Sequence, residues 1–245
     1  MIAERLIYPD ATSLAAAAAR RFVTLGASAI AERGQFSVAL AGGSTPEASY
    51  ELLATERTAT SLDWSRVHFF WGDERCVPPD HPNSNYRMAR EALLDHLPLS
   101  PGNIHRIHGE MEPERAARTF SDDLVTFFGA ALPAFDLVLL GLGNDGHTAS
   151  LFPGSAVLRE RVRPAAAVTA HYQDRPAYRV TLTLPAINAA RQILFLVSGV
   201  AKAEIVAAVL EGPTGRYPAQ AVRPGSGRLG WMLDAPAAGQ LGRGT

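Results

Sequence analysis

Apolar residues gather along this chain in short blocks that end at glycine, proline or a polar cluster. Phe36 to Ala41, Val67 to Trp71, Ile104 to Ile107, Phe135 to Leu140, Arg179 to Leu184 and Ile193 to Ser198 have strand length, and Val222 marks a place for a later one. Phe135 to Leu140 carries a single polar residue, Asp136. So little alternation is expected of a strand covered on both faces, as in a parallel sheet. Between the blocks, apolar residues recur at helical spacing over about 12 to 33, 46 to 56, 85 to 95, 113 to 130 and 200 to 211. The alanine-rich run from Ala15 to Ala19 continues through Phe22 and Leu25, so it reads as helix rather than low complexity, with Thr12 or Ser13 as N-cap.

Strands alternating with helices imply a mainly parallel sheet, helices on both faces and right-handed crossovers. No linker rich in proline, glycine and serine divides the chain, and no repeat period is visible, so a single domain over 1–245 is expected. Gly212 to Gly230 reads as a loop leading into a last strand.

Composition excludes more than it selects. The 245 residues are 47% hydrophobic and 19% charged, enough for a large core, and the net charge of −1 with scattered arginines offers nucleic acid no field. An anionic ligand must therefore be held locally. The one cysteine, Cys76, cannot form an internal disulfide, which suits a cytoplasmic protein. The amino-terminal residues have no apolar core of signal-peptide length, and no run was expected to span a bilayer.

The chemistry concentrates at strand ends. Phe36 to Ala41 runs into Gly42-Gly43-Ser44-Thr45-Pro46, where glycines admit a ligand to the backbone and a helix start offers free N–H groups to an anion. These residues fit a plain capped turn equally well, so a cation from elsewhere must decide. Arg75, after Val67 to Trp71, and Lys202, after Ile193 to Ser198, are such cations, and with Gly43, Ser44 and Thr45 they compose a phosphomonoester site.

Phe135 to Leu140 enters Gly141-Leu142-Gly143-Asn144-Asp145-Gly146-His147. The G-x-G-x-x-G match is rejected as a dinucleotide fingerprint, because Pro153 and Gly154 deny it a long helix and no acidic residue stands about 20 positions on. His147 is the candidate general base, with Asp145 two residues before it to orient the ring. His105 and His108 form H-x-x-H, but in a strand that offset puts them on opposite faces, and no thiolate or near carboxylate completes a metal site.

LAGGSTPEASYELL (40 to 53), WGDERCVPPDHPNSNYRMARE (71 to 91), GLGNDGHTASLFPG (141 to 154), YRVTLTLPAIN (178 to 188), SGVAKAE (198 to 204) and WMLD (231 to 234) together resemble the 6-phosphogluconolactonases. The resemblance implies a three-layer α/β/α sandwich with a Rossmann-like sheet. It also implies hydrolysis of 6-phosphoglucono-1,5-lactone in the oxidative pentose phosphate pathway, without cofactor or metal. The expected partner is that small molecule, not nucleic acid or membrane. On this reading Gly43, Ser44, Thr45, Arg75 and Lys202 hold the phosphate and His147 activates water. Asp73, Asn85 and Arg179 contact the ring or carbonyl, while Asn144 or the glycine-turn N–H groups stabilise the oxyanion. The related glucosamine-6-phosphate deaminases have a glutamate where this chain has Phe152 and a tyrosine where it has Arg75, so that alternative, like a non-catalytic phosphosugar-binding module, ranks second.

Overall fold

The computed structural model describes residues 3–55, 62–171 and 176–242. From the amino terminus the chain runs β1 (Glu4–Tyr8), α1 (Ala11–Arg33), β2 (Phe36–Leu40), α2 (Ser44–Leu53), β3 (Val67–Trp71), β4 (Asp73–Arg75), α3 (Asn85–Ala92) and α4 (Pro113–Phe128). It continues with β5 (Leu137–Leu140), β6 (Ala165–Thr169), β7 (Tyr178–Leu182), α5 (Leu184–Asn188), β8 (Gln192–Val197), α6 (Ala203–Leu210) and β9 (Arg228–Asp234).

Every residue of β2, β5 and β8 is buried, Ser37 and Gln192 being the polar exceptions in otherwise apolar strands. They form the middle of a parallel sheet in the order β1-β9-β8-β5-β2-β3, with helices against it in an α/β/α arrangement. The strand order reverses between β2 and β5, since β3 lies outside β2 on one side while β5, β8 and β9 progress away on the other. In such sheets the crevice beyond the carboxyl ends at the reversal is where ligands sit. Asp136, the polar residue of its apolar block, ties the opposite end of the same strand pair. Its carboxylate accepts from Ser37 N–H at 2.8 Å, Ser37 Oγ at 3.0 Å and Arg33 Nε at 2.9 Å.

Several local expectations change. α1 is capped by Asp10, which accepts from Ser13 N–H at 2.7 Å, so Thr12 and Ser13 fall inside the first turn and neither is the N-cap. The helix is 23 residues long and apolar enough by length and composition to cross a bilayer, contrary to the expectation that no run is; here its Leu14, Phe22, Ala15, Ala17, Ala18, Ala19 and Ala29 are buried, and it packs against the sheet and α2. The helix expected over 46–56 ends at Leu53, and position 56 lies outside the described residues. Ile104 to Ile107 is no strand: one bridge, Phe69 to Ile104, joins it to the sheet edge before the chain turns at Gly109. Val222 ends a short 3₁₀ turn, and the last strand is β9.

The larger correction concerns Arg179 to Leu184, which does not extend the parallel sheet. β7 pairs antiparallel with both β4 and β6 in a separate three-stranded sheet. Gly72 is the branch point, donating to Leu40 O at 2.8 Å in the parallel sheet and accepting from Leu182 N–H at 2.8 Å in the other.

Because 104–107 is no strand, the alternation expected to part the H-x-x-H rings does not apply; His108 Nδ1 lies 3.4 Å from Glu110 Oε1, while His105 packs on the sheet edge. His105 stacks on Phe70, with ring centroids 4.3 Å apart, and its Nε2 lies 3.2 Å from His68 Nδ1. Burial, with the nearby His68 adding to it, pushes the His105 pKa down to about 4, and burial lowers His68 as well. The unfolded chain, with ordinary histidines near 6.5, then binds more protons than the folded one across that interval. Stability should therefore decline as pH falls from about 6.5 toward about 4. Urea denaturation at the two pH values should show a smaller acid loss in His105→Phe than in the wild type, and an equal loss would refute this origin.

Candidate active site

The loops after β2, β3, β5 and β8 converge on a cavity of about 430 Å³ at the strand-order reversal, large enough for a small phosphorylated sugar derivative. Gly43, Ser44, Thr45, Asp73, Arg75, Asn85, His147, Arg179 and Lys202 all line it. Sequence spacing had placed them in separate blocks.

The β2 loop is shaped by close packing. A Cβ on Gly42 would fall 2.0 Å from Asn85 Oδ1, so the amide of Asn85 lies directly on the glycine backbone. Gly43 has φ +103°, a left-handed conformation that favours glycine, and precedes the first turn of α2. Thr45 Oγ1 and Ser198 Oγ are 2.9 Å apart, joining the β2 and β8 loops.

β4 divides its side chains by the two-residue alternation of a strand. Asp73 and Arg75 face the cavity, and Glu74 points away into the protein. Asp73 Oδ2 accepts from Ser150 Oγ at 2.5 Å and lies 3.9 Å from Arg179 Nη1, while Asn85 Nδ2 donates to the Asp73 carbonyl at 2.8 Å. Arg75 stands directly opposite Arg179 in the β4–β7 register, so two guanidinium groups from distant segments reach the same wall. Arg75 Nη1 also donates to Asn83 O at 2.6 Å.

The turn after β5 folds back on itself. Gly143 N–H donates to His147 O at 2.8 Å, and Gly146, at φ +76°, donates to Gly143 O at 3.0 Å. A Cβ on Gly143 would strike the His147 ring at 2.0 Å, so the imidazole rests where only glycine leaves space. Asp145 Oδ1 bonds His147 Nδ1 and also accepts the His147 N–H at 3.1 Å, the orienting contact expected of it. Phe152 lies beside the imidazole, centroids 4.8 Å apart, and its ring is 5.9 Å from the Arg179 guanidinium carbon. Ala149, on the cavity wall, has φ +47°, the one positive value at a non-glycine among the described residues. Such strain is concentrated at functional sites.

A family model described as glucosamine-6-phosphate isomerases/6-phosphogluconolactonase matches residues 9–231. A 6-phosphogluconolactonase of Synechocystis is 45% identical over 219 residues, covering 87% of this chain and 88% of that one. This chain belongs to that family. A 6-phosphogluconolactonase of Streptomyces coelicolor is 39% identical over 97% of this chain and 94% of its own. Among solved structures, the Trypanosoma brucei 6-phosphogluconolactonase matches with a TM-score of 0.87 at 31% identity, covering 98% of each chain. A monomeric glucosamine-6-phosphate deaminase matches with 0.82 at 25%, covering 97% of this chain and 99% of that one. The isomerase/lactonase fold thus serves both activities, and the site must separate them.

Within this family member, two residues expected at the substrate also bond other parts of the protein. Asn144 is not on the cavity wall; its Oδ1 accepts from Lys202 Nζ at 2.6 Å, so it holds the lysine. Asn85 lines the cavity; its Nδ2 donates to the Asp73 carbonyl at 2.8 Å, while its buried Oδ1 has no hydrogen-bond partner among the described residues. Two residues the sequence reading passed over are structural supports. Buried Asp234, the last residue of β9, accepts from Gly199 N–H at 2.9 and 3.0 Å and fixes the turn that carries Lys202. Buried Glu74 accepts from Arg75, Asn85 and Tyr86 N–H at 2.7, 2.8 and 2.7 Å and from Ser84 Oγ at 3.0 Å. The WMLD and GDER/NSNY blocks contained the signal, although an acid in a motif does not announce whether it faces ligand or backbone. Among the described residues no group of three histidine, cysteine or acidic side chains could hold a metal ion.

Proposed function

We propose that this chain is a 6-phosphogluconolactonase that hydrolyses 6-phosphoglucono-1,5-lactone, the second step of the oxidative pentose phosphate pathway, by base-activated attack of water. The observation that carries this reading is the sharing of one cavity by a carboxylate-backed histidine and the cations Arg75, Arg179 and Lys202 beside a helix amino terminus. The family relationship supports the substrate.

The phosphate is held by Gly43, Ser44 and Thr45 at the start of α2 and by Arg75 and Lys202, where backbone donors and full charges act together. Arg179, opposite Arg75, adds its charge to the same wall. This grip lays the lactone ring over the carboxyl ends of β2 and β5, with Asp73 toward its hydroxyl groups. Asp145 engages Nδ1 of His147, which leaves the base role to Nε2. Nε2 takes a proton from water as the oxygen attacks C1. The oxyanion is stabilised by a glycine-turn N–H other than those of Gly143 and Gly146, which donate within their own turn, or by Nδ2 of Asn144, whose Oδ1 is the atom that accepts from Lys202. Collapse breaks the bond from C1 to the ring oxygen, the imidazolium returns its proton to that oxygen, and 6-phosphogluconate leaves as the acid.

The direct test generates the lactone in place with glucose-6-phosphate dehydrogenase and follows its loss beyond the spontaneous rate, with ammonia release from glucosamine 6-phosphate measured in parallel. Accelerated lactone loss without ammonia supports the reading. Ammonia release would replace it with the deaminase, and binding without turnover with a phosphosugar-binding module. Arg75→Ala should raise KM for the phosphorylated lactone by about tenfold or more, as loss of a charged contact of about 1.5–3 kcal/mol predicts. Hydrolysis of unphosphorylated gluconolactone should change little, and an equal loss on both substrates would remove Arg75 from the phosphate site.

A further inference from the structure

The turn that carries His147 is closed by its own hydrogen bonds, but its placement over the cavity comes from a segment far along the chain. Ala219 N–H donates to Gly146 O at 3.0 Å. The Tyr217 side chain lies against the same glycine so closely that a Cβ on Gly146 would meet its Cδ1, Cβ and Cγ at 2.5, 2.7 and 2.8 Å. Neither residue lines the cavity. Their position depends on buried Gln220 in the 3₁₀ turn Pro218–Ala221. Its Oε1 accepts from Arg216 and Tyr217 N–H at 2.9 and 3.1 Å, and its Nε2 donates to Val209 O at 3.2 Å and Pro213 O at 3.0 Å. Val209 is near the end of α6, and Lys202 immediately precedes its start. The His147 turn is therefore tied to α6 at both ends, by Lys202 and Asn144 at one and by Gln220 at the other.

We infer that Tyr217 is a positioning residue for His147: its ring backs the Gly146 peptide and keeps the imidazole where it can take the proton of the water that attacks the substrate carbonyl. The inference rests on His147 being the base. Positioning enters the rate steeply, since a misplacement of about 1 Å can cost about 10²-fold in kcat. The phosphate grip comes from other loops, so substrate affinity is not Tyr217's concern.

The test measures kcat, KM and thermal melting for Tyr217→Ala, Tyr217→Leu and Tyr217→Phe on the phosphorylated lactone and on gluconolactone. Tyr217→Ala should lower kcat about tenfold or more on both substrates while KM for the phosphorylated lactone stays within about twofold. Tyr217→Phe should restore kcat, because the flat ring makes the contact. Should Tyr217→Ala not fold, Tyr217→Leu keeps bulk without the ring and is read in the same way. A folded Tyr217→Ala or Tyr217→Leu enzyme with unchanged kcat, or one altered in KM alone, overturns the inference and leaves the base assignment standing. Normal turnover by His147→Ala would instead remove the base, and with it any role of Tyr217 through that residue.

Discussion

Replacing His147 by alanine should lower kcat for the phosphorylated lactone by about 10²- to 10⁴-fold, the span over which general-base catalysis usually contributes, with KM within about twofold. That corresponds to about 2.7–5.5 kcal/mol of transition-state stabilisation. The asymmetry between kcat and KM follows from where the groups originate. In the proposed mechanism the base stands on the β5 loop with its Nδ1 on Asp145, whereas the phosphate is assigned to Gly43, Ser44 and Thr45 after β2, Arg75 on β4 and Lys202 before α6, all on the cavity wall. Removing the imidazole leaves those contacts intact. Rates corrected for spontaneous hydrolysis, at saturating and limiting substrate, separate the two constants. An unchanged kcat would eliminate His147 as the base, and a change confined to KM would make it a binding group.

The second large effect concerns stability. Glu74→Ala should destabilise the fold by about 3–5 kcal/mol, at the upper end for single substitutions, because three backbone N–H groups and one hydroxyl converge on a carboxylate that is 2% exposed. Two of those N–H groups, from Asn85 and Tyr86, begin α3 and have no partner within the helix. Burial raises the Glu74 carboxyl above its usual range, and the surrounding hydrogen bonds offset part of that shift. Against a total stability of about 5–15 kcal/mol, such a loss moves the urea midpoint far. Glu74→Gln, which keeps an acceptor oxygen but sets an amide N–H₂ among donors, should fall between. A Glu74→Ala midpoint equal to that of the wild type would show that water replaces the carboxylate without cost.

Much of the architecture was legible because it depends on neighbours in the chain. The apolar run at β5 declared a strand buried on both faces, the apolar blocks at β2, β3 and β8 declared strands, and helical spacing declared what lay between. The glycine turns declared where the backbone opens toward a ligand. β1 was hidden because an edge strand with mostly exposed residues has no apolar signature. β4 was hidden because three residues cannot display a period.

The chain's own order of residues determined the parallel sheet, a helix start just after the Gly42-Gly43 turn, and a histidine two positions from its orienting aspartate, since each arises within a few residues. Tertiary structure alone decided that Arg75 faces Arg179 across a ladder, that Asn144 bonds Lys202, and that Asp234, Glu74 and Tyr217 pack behind the loops. These relations join segments far apart in sequence. Strand register and loop packing set them through the closure of the whole chain, and no local pattern of residue types contains that information.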